Sequence, residues 1–139
     1  KTGTRYRSHD SSKSVLNSKA SMQYCLGCHT SDKVKTVKDM VAYVRNAQKS
    51  VAEKDAAVAK KQDETFDLLK VAIEGKKLDE KAINEAKFKY AVAAYYKEFV
   101  YGNRDATPGE KVAHNPEKNR RYLEKALSVL DEAQTILKN

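Results

Sequence analysis

An all-α fold is predicted by three features of this 139-residue sequence. Only 5 Gly and 2 Pro interrupt it, too few for a many-turned β fold. From Ser31 to Glu74 neither residue occurs, and apolar side chains recur there at steps of three or four. A Pro follows a capping residue at Asn115-Pro116, the signature of a helix start. The expected architecture is a loop arm carrying a cysteine motif, followed by three main helices packed up-and-down, the first of them long. It divides into an arm over residues 1–30 and a helical bundle over 31–139, together one domain with a modest core.

Residues 1–20 are polar, rich in Ser and Lys, and lack helical periodicity. They read as an extended or looped arm. Ser21 is the expected cap of a short helical turn. The long helix, or two nearly collinear ones, spans about 31–74. Its stripe is Val37, Val41, Val44, Gln48 and Val51, continued by Ala59, Phe66 and Ile73 with Leu69 between. The middle, "AEKDAAVAKKQDE", forms helix well but has little apolar bulk. So thin a stripe calls for a neighbour, either a second chain or a long helix of the same chain. Gly75 suits the end of this helix. Asp79 caps the next, about 79–102, whose expected face is Ile83, Ala86, Tyr90, Ala91 and Ala94. Tyr95, Tyr96, Phe99 and Tyr101 make its end aromatic. After a loop over 102–113, the last helix uses Leu123, Ala126, Leu127, Leu130, Ala133 and Leu137.

The net charge is +8, with bases and acids interleaved as in "KKLDEKAINEAKFK". That pattern describes solvated helix faces, and no basic block alternates with aromatics, so nucleic acid is not an expected partner. An acidic protein or redox partner fits the charge better. No apolar run reaches the ~20 residues of a membrane helix. No charged-then-apolar leader is present, so a signal peptide is either absent or already removed.

The only two cysteines stand in Cys25-Leu26-Gly27-Cys28-His29. C-x-x-C-H is the attachment pattern of c-type haem. Two thiols on one helical turn add across the porphyrin vinyl groups, and the following imidazole becomes the proximal iron ligand. A thioredoxin-like redox pair also uses C-x-x-C but needs a strand–helix setting. A zinc site needs two further ligands. A disulfide across two residues is strained, and a helical scaffold without haem is the remaining alternative. Covalent haem c, one per chain, is the expectation, with Cys25 and Cys28 as thioether anchors and His29 as iron ligand. Tyr24 is a candidate for packing on the porphyrin. Such haem is attached outside the cytoplasm, so a periplasmic or otherwise exported protein is expected.

Four residues compete for a sixth ligand: His9, His114, Met22 and Met40. His114 precedes a helix start and is favoured. Met22 is too near Cys25 to reach the other face of the ring. Met40 reads first as a core residue, and His9 as either a ligand or an exposed loop side chain.

"CLGCHTSDK", a long charged helix, "AAYYKEFV" and "AHNPEK" together resemble the C-terminal, last-haem region of pentahaem ammonia-forming cytochrome c nitrite reductases. The segment "SHDSSKSVLN" adds to the likeness, which covers nearly the whole chain. The resemblance implies that Cys25, Cys28 and His29 hold the fifth haem. It makes His9 and His114 similar to distal ligands of other haems. The family's catalytic haem, catalytic residues and calcium site lie upstream, so this chain carries no catalytic set. The chain is then a piece or subunit of a nitrite or hydroxylamine reductase, or a monohaem electron carrier on the same scaffold. In the carrier, His114 is recruited to the iron, or the iron stays open to small ligands. The resemblance also implies a homodimer through long helices, and redox proteins or other haem-bearing chains as partners.

Overall fold

The computed structural model describes residues 19–29, 31–75, 78–101 and 116–139. The described residues form four helices: α1 (Lys19–Leu26), α2 (Val37–Gly75), α3 (Glu80–Tyr101) and α4 (Pro116–Lys138). No strand occurs among them, only an isolated antiparallel bridge between Ser31 and Val34. The fold is all-α, as predicted.

α2 starts at Val37, six residues later than the periodicity suggested. The start is set by a capping box. The Thr36 and Lys35 amides donate to Asp39 Oδ2 at 2.9 and 3.2 Å, and the Asp39 amide donates to Thr36 Oγ1 at 3.2 Å. The Thr36 hydroxyl, also donating to Asp39, and the two amides hold the Asp39 carboxyl below its ordinary value. Asp79 caps α3 as expected, accepting from the Ala82 amide at 2.7 Å. α1 begins at Lys19, so Ser21, the expected cap, lies within its first turn rather than ahead of it. Asn115, the expected cap of α4, lies outside the described residues.

α2 runs as one helix of 39 residues, about 58 Å long. α3 returns antiparallel to it, since Lys97 meets Asp55 while Tyr90 meets Phe66 farther along. α4 runs parallel to α2: Lys54 pairs with Glu124, and one heptad on, Lys61 pairs with Asp131. The up-and-down order is therefore α2 up, α3 down, α4 up.

The core follows a seven-residue repeat. Val51, Val58, Thr65 and Ala72 are buried on α2; Ala86, Ala93 and Val100 on α3; Leu123, Leu130, Ala126 and Ala133 on α4. A strict heptad suits three helices winding around one another with a left-handed twist. On α2 this seam lies one residue before much of the expected stripe. Phe66 and Ile73 are about half exposed, and Thr65 and Ala72 are inside instead. On α3 Ala93 replaces the exposed Ala91 in the expected face. The physical reason is closeness: small residues let the three backbones approach, and bulky rings ride the rims. Phe66 is not left bare, because the Lys70 ammonium lies 4.4 Å from its ring centre. The thin stripe of α2 thus finds its long neighbours within the chain.

One polar layer crosses this core. Gln134 Nε2 donates to Thr65 Oγ1 at 3.1 Å, and that hydroxyl donates to the Lys61 carbonyl at 2.7 Å. The hydroxyl's hydrogen-bonding capacity is thus satisfied, which is what allows Thr65 to be fully buried. At the aromatic end of α3, Phe99 and Tyr96 pack on Tyr122 of α4, with ring centres 4.8 and 6.0 Å apart.

Leu130→Ala is expected to cost about 2–5 kcal/mol, read from urea unfolding followed by far-ultraviolet dichroism. A loss under ~1 kcal/mol would place Leu130 outside a packed core. The depressed Asp39 pKa makes the α2 cap an acid-sensitive point. Its contribution is complete above the ordinary carboxylate value of 3.8 and fades as pH falls through the lower folded value. The Lys35 and Thr36 amide resonances should titrate with a midpoint below 3.8, and Asp39→Asn should abolish that step.

Candidate functional site

α1 ends at Leu26, but its spiral continues into the motif. The Gly27 amide donates to the Tyr24 carbonyl at 3.1 Å, and the Cys28 and His29 amides both donate to the Cys25 carbonyl, at 3.2 and 2.9 Å. The last of these is an i to i+4 bond, so Cys25, Cys28 and His29 share one helical face. Gly27 fits because a Cβ there would lie 3.3 Å from the Tyr24 carbonyl, a tight approach. A side chain at this position would press on the turn that sets the spacing of the thiols.

α1 rests on the start of α2. Met22 and Leu26 pack with Val34 and Met40 in a cluster separate from the bundle core, flanked by Cys25, Val37, Val41 and Val44. Between α1 and α2 the chain is pinned by reciprocal bonds between Ser31 and Val34, at 3.2 and 3.1 Å. The motif is thereby held at the end of α2 that projects beyond α4. By the pairing register, Pro116 lies level with about residue 46 of α2.

Beside the motif lies a cavity of about 250 Å³, lined by Cys28, His29, Ser31, Val34, Met40 and Tyr43. Cys28 and His29 are exposed and Cys25 is half-buried. The two thiols are not joined as a disulfide. Among the described residues no group of three or more His, Cys, Asp or Glu is placed to hold a metal ion. Among the described residues there is also no strand–helix setting of a thioredoxin-like pair. The residues present fit a covalent haem in donor chemistry: two unbridged thiols and an exposed imidazole on one face, next to an apolar wall. The cavity is smaller than the ~300–1,000 Å³ of an enclosing ligand pocket. The described residues would therefore supply only one side of such a site.

The other sequence candidates divide. Met22 and Met40 are buried, Met40 in the wall of the cavity, as its core reading expected. Tyr24 is 85% exposed and does not line the cavity. His9 and His114 lie outside the described residues. Sequence reasoning missed Tyr43 and Val34. Tyr43 stands one turn after Met40, and that spacing was the available signal.

A family model described as cytochrome c552 matches residues 1–139. The chain belongs to the cytochrome c552 family. It is a c-type cytochrome related to the nitrite reductases, which bears out the resemblance read from its sequence. Membership implies covalently bound haem c and electron transport. Proteins of the cytochrome c552 family are typically periplasmic. Among the described residues no helix is long and apolar enough to cross a membrane. Comparison with curated proteins and with solved structures returns no match.

In the chain before haem attachment, the exposed Cys28 thiol should alkylate faster than the half-buried Cys25 thiol. Peptide mapping after brief iodoacetamide treatment measures the ratio. Equal labelling would contradict the packing of α1 on α2.

Proposed function

We propose that this chain carries a single covalent haem and passes electrons, with Cys25 and Cys28 as its thioether anchors and His29 as the proximal iron ligand. One observation carries the reading: these three residues share one helical face beside the apolar wall of Val34 and Met40. Haem iron supplies the chemistry by alternating between ferrous and ferric states. The protein's part is to fix the imidazole, through the backbone bond from His29 to Cys25, and to limit water on one side of the group. Because the described wall is one-sided, other residues or a neighbouring haem-bearing chain supply the second side.

The reading extends to an exported, periplasmic protein acting with redox partners, and to a homodimer through the long helices. Exposed side chains on α2, Phe66, Val71 and Ile73, are consistent with a neighbour there. His114 is the favoured sixth ligand, with His9 as an alternative for this or an adjacent haem. A second reading makes the chain a piece or subunit of a multihaem nitrite or hydroxylamine reductase; the family's relation to nitrite reductases favours it. A third reading, an iron open to small ligands, is tested by carbon monoxide binding to the reduced protein.

Intact mass and a pyridine haemochrome on the exported chain test the proposal. Expected are the mass of one haem added and a c-type spectrum. Cys25→Ala or Cys28→Ala should leave one thioether and move the haemochrome band to longer wavelength. The double variant should be colourless after denaturing extraction. A mass equal to the amino acids alone would sink the reading. Several haems per purified assembly would favour the reductase over the carrier. An unchanged low-spin spectrum in His114→Ala would remove that residue as ligand to this haem.

A further inference from the structure

The cavity beside His29 has two unlike sides. Its inner side is Val34 and Met40, 7% and 2% exposed and locked among Met22 and Leu26. Its outer edge is Tyr43, 54% exposed and one turn farther along α2. Apart from the His29 imidazole itself, Tyr43 is the one aromatic ring among the described residues that line this cavity. Tyrosine suits such an edge, because its ring presents an apolar body while the hydroxyl stays in water.

We propose that Tyr43 is a positioning residue for the haem, its ring forming the outer wall that keeps water from the side of the group nearest His29. The inference rests on the haem reading above. It assigns to Tyr43 the packing role that the sequence suggested for Tyr24. Tyr24 is next to Cys25 in sequence, but its side chain lies in solvent and away from the cavity. Tyr43 is remote in sequence and adjacent in space, because α1 docks on the first turns of α2. The floor beneath it is rigid: Met40 is held in the small core, and the Ser31–Val34 bridge fixes the loop.

A measurable consequence follows from charge. Ferric haem carries one more positive charge than ferrous haem, so water near the iron favours the ferric state. Removing the ring admits water and lowers the reduction potential. Replacing only the hydroxyl keeps the wall.

The test compares the full haem-loaded chain with Tyr43→Ala, Tyr43→Phe and the control Tyr95→Ala by optical spectroelectrochemistry. Tyr95 is 66% exposed on α3 and does not line the cavity. Expected is a downward shift of midpoint potential in Tyr43→Ala, with Tyr43→Phe and Tyr95→Ala close to the parent. Alanine at 43 keeps helix propensity, and thermal melts of the variants separate a folding defect from a change at the iron. A Tyr43→Ala potential equal to that of the parent overturns the inference while leaving the haem reading intact. A parent chain without covalent haem overturns the haem reading itself.

Discussion

The heptad seam where Val51 and Val58 of α2 meet Ala93 and Val100 of α3 and Leu123 and Leu130 of α4 is the constraint on which the rest depends. It sets three helices side by side with small residues at the closest approaches. The charged pairs that cross it, Lys54 with Glu124 and Lys61 with Asp131, repeat at the same interval of seven. Exposed or half-exposed pairs of this kind add little free energy each. Their common spacing nevertheless matches one register and no other. The Thr65–Gln134 hydrogen bond does the same from inside, because a slip of one residue would take the Gln134 amide away from its acceptor on α2.

That register decides where the haem motif stands. α2 outruns α4 at its beginning by about two turns, and the apolar side chains Val37, Met40, Val41 and Val44 of this overhang would otherwise face water. α1 covers them with Met22 and Leu26. The short helix, with little amphipathic character of its own, is therefore placed by packing rather than by propensity. A small second core holds the motif, while the large first core holds the platform.

Much of this was legible in the sequence. The Asp79 cap, the long Gly- and Pro-free stretch and the leucine face of α4 are local signals, and each was met. The α2 seam was misread by one residue because bulk drew attention to Phe66 and Ile73, whereas close packing selects Thr65 and Ala72. Thr65 is readable as a core residue only once Gln134 is known to face it. The start of α2 was masked for a similar reason. Ser31 to Lys35 lacks Gly and Pro, yet the Thr36–Asp39 capping box ends that stretch more sharply than helix propensity extends it. For Tyr43 the only local signal is its spacing of one turn from Met40; that it lines the cavity depends on which turn of α2 receives α1.

The parallel course of α2 and α4 also fixes distances for electrochemistry. Lys138 lies level with about residue 68 of α2, so the far end of α4 stands some 40 Å along the bundle from Met40 and Tyr43. Tunnelling falls off exponentially with separation. With haem on Cys25 and Cys28 as proposed, a molecule tethered to an electrode through that end would hold the group out of reach, whereas adsorption by the opposite tip would bring current.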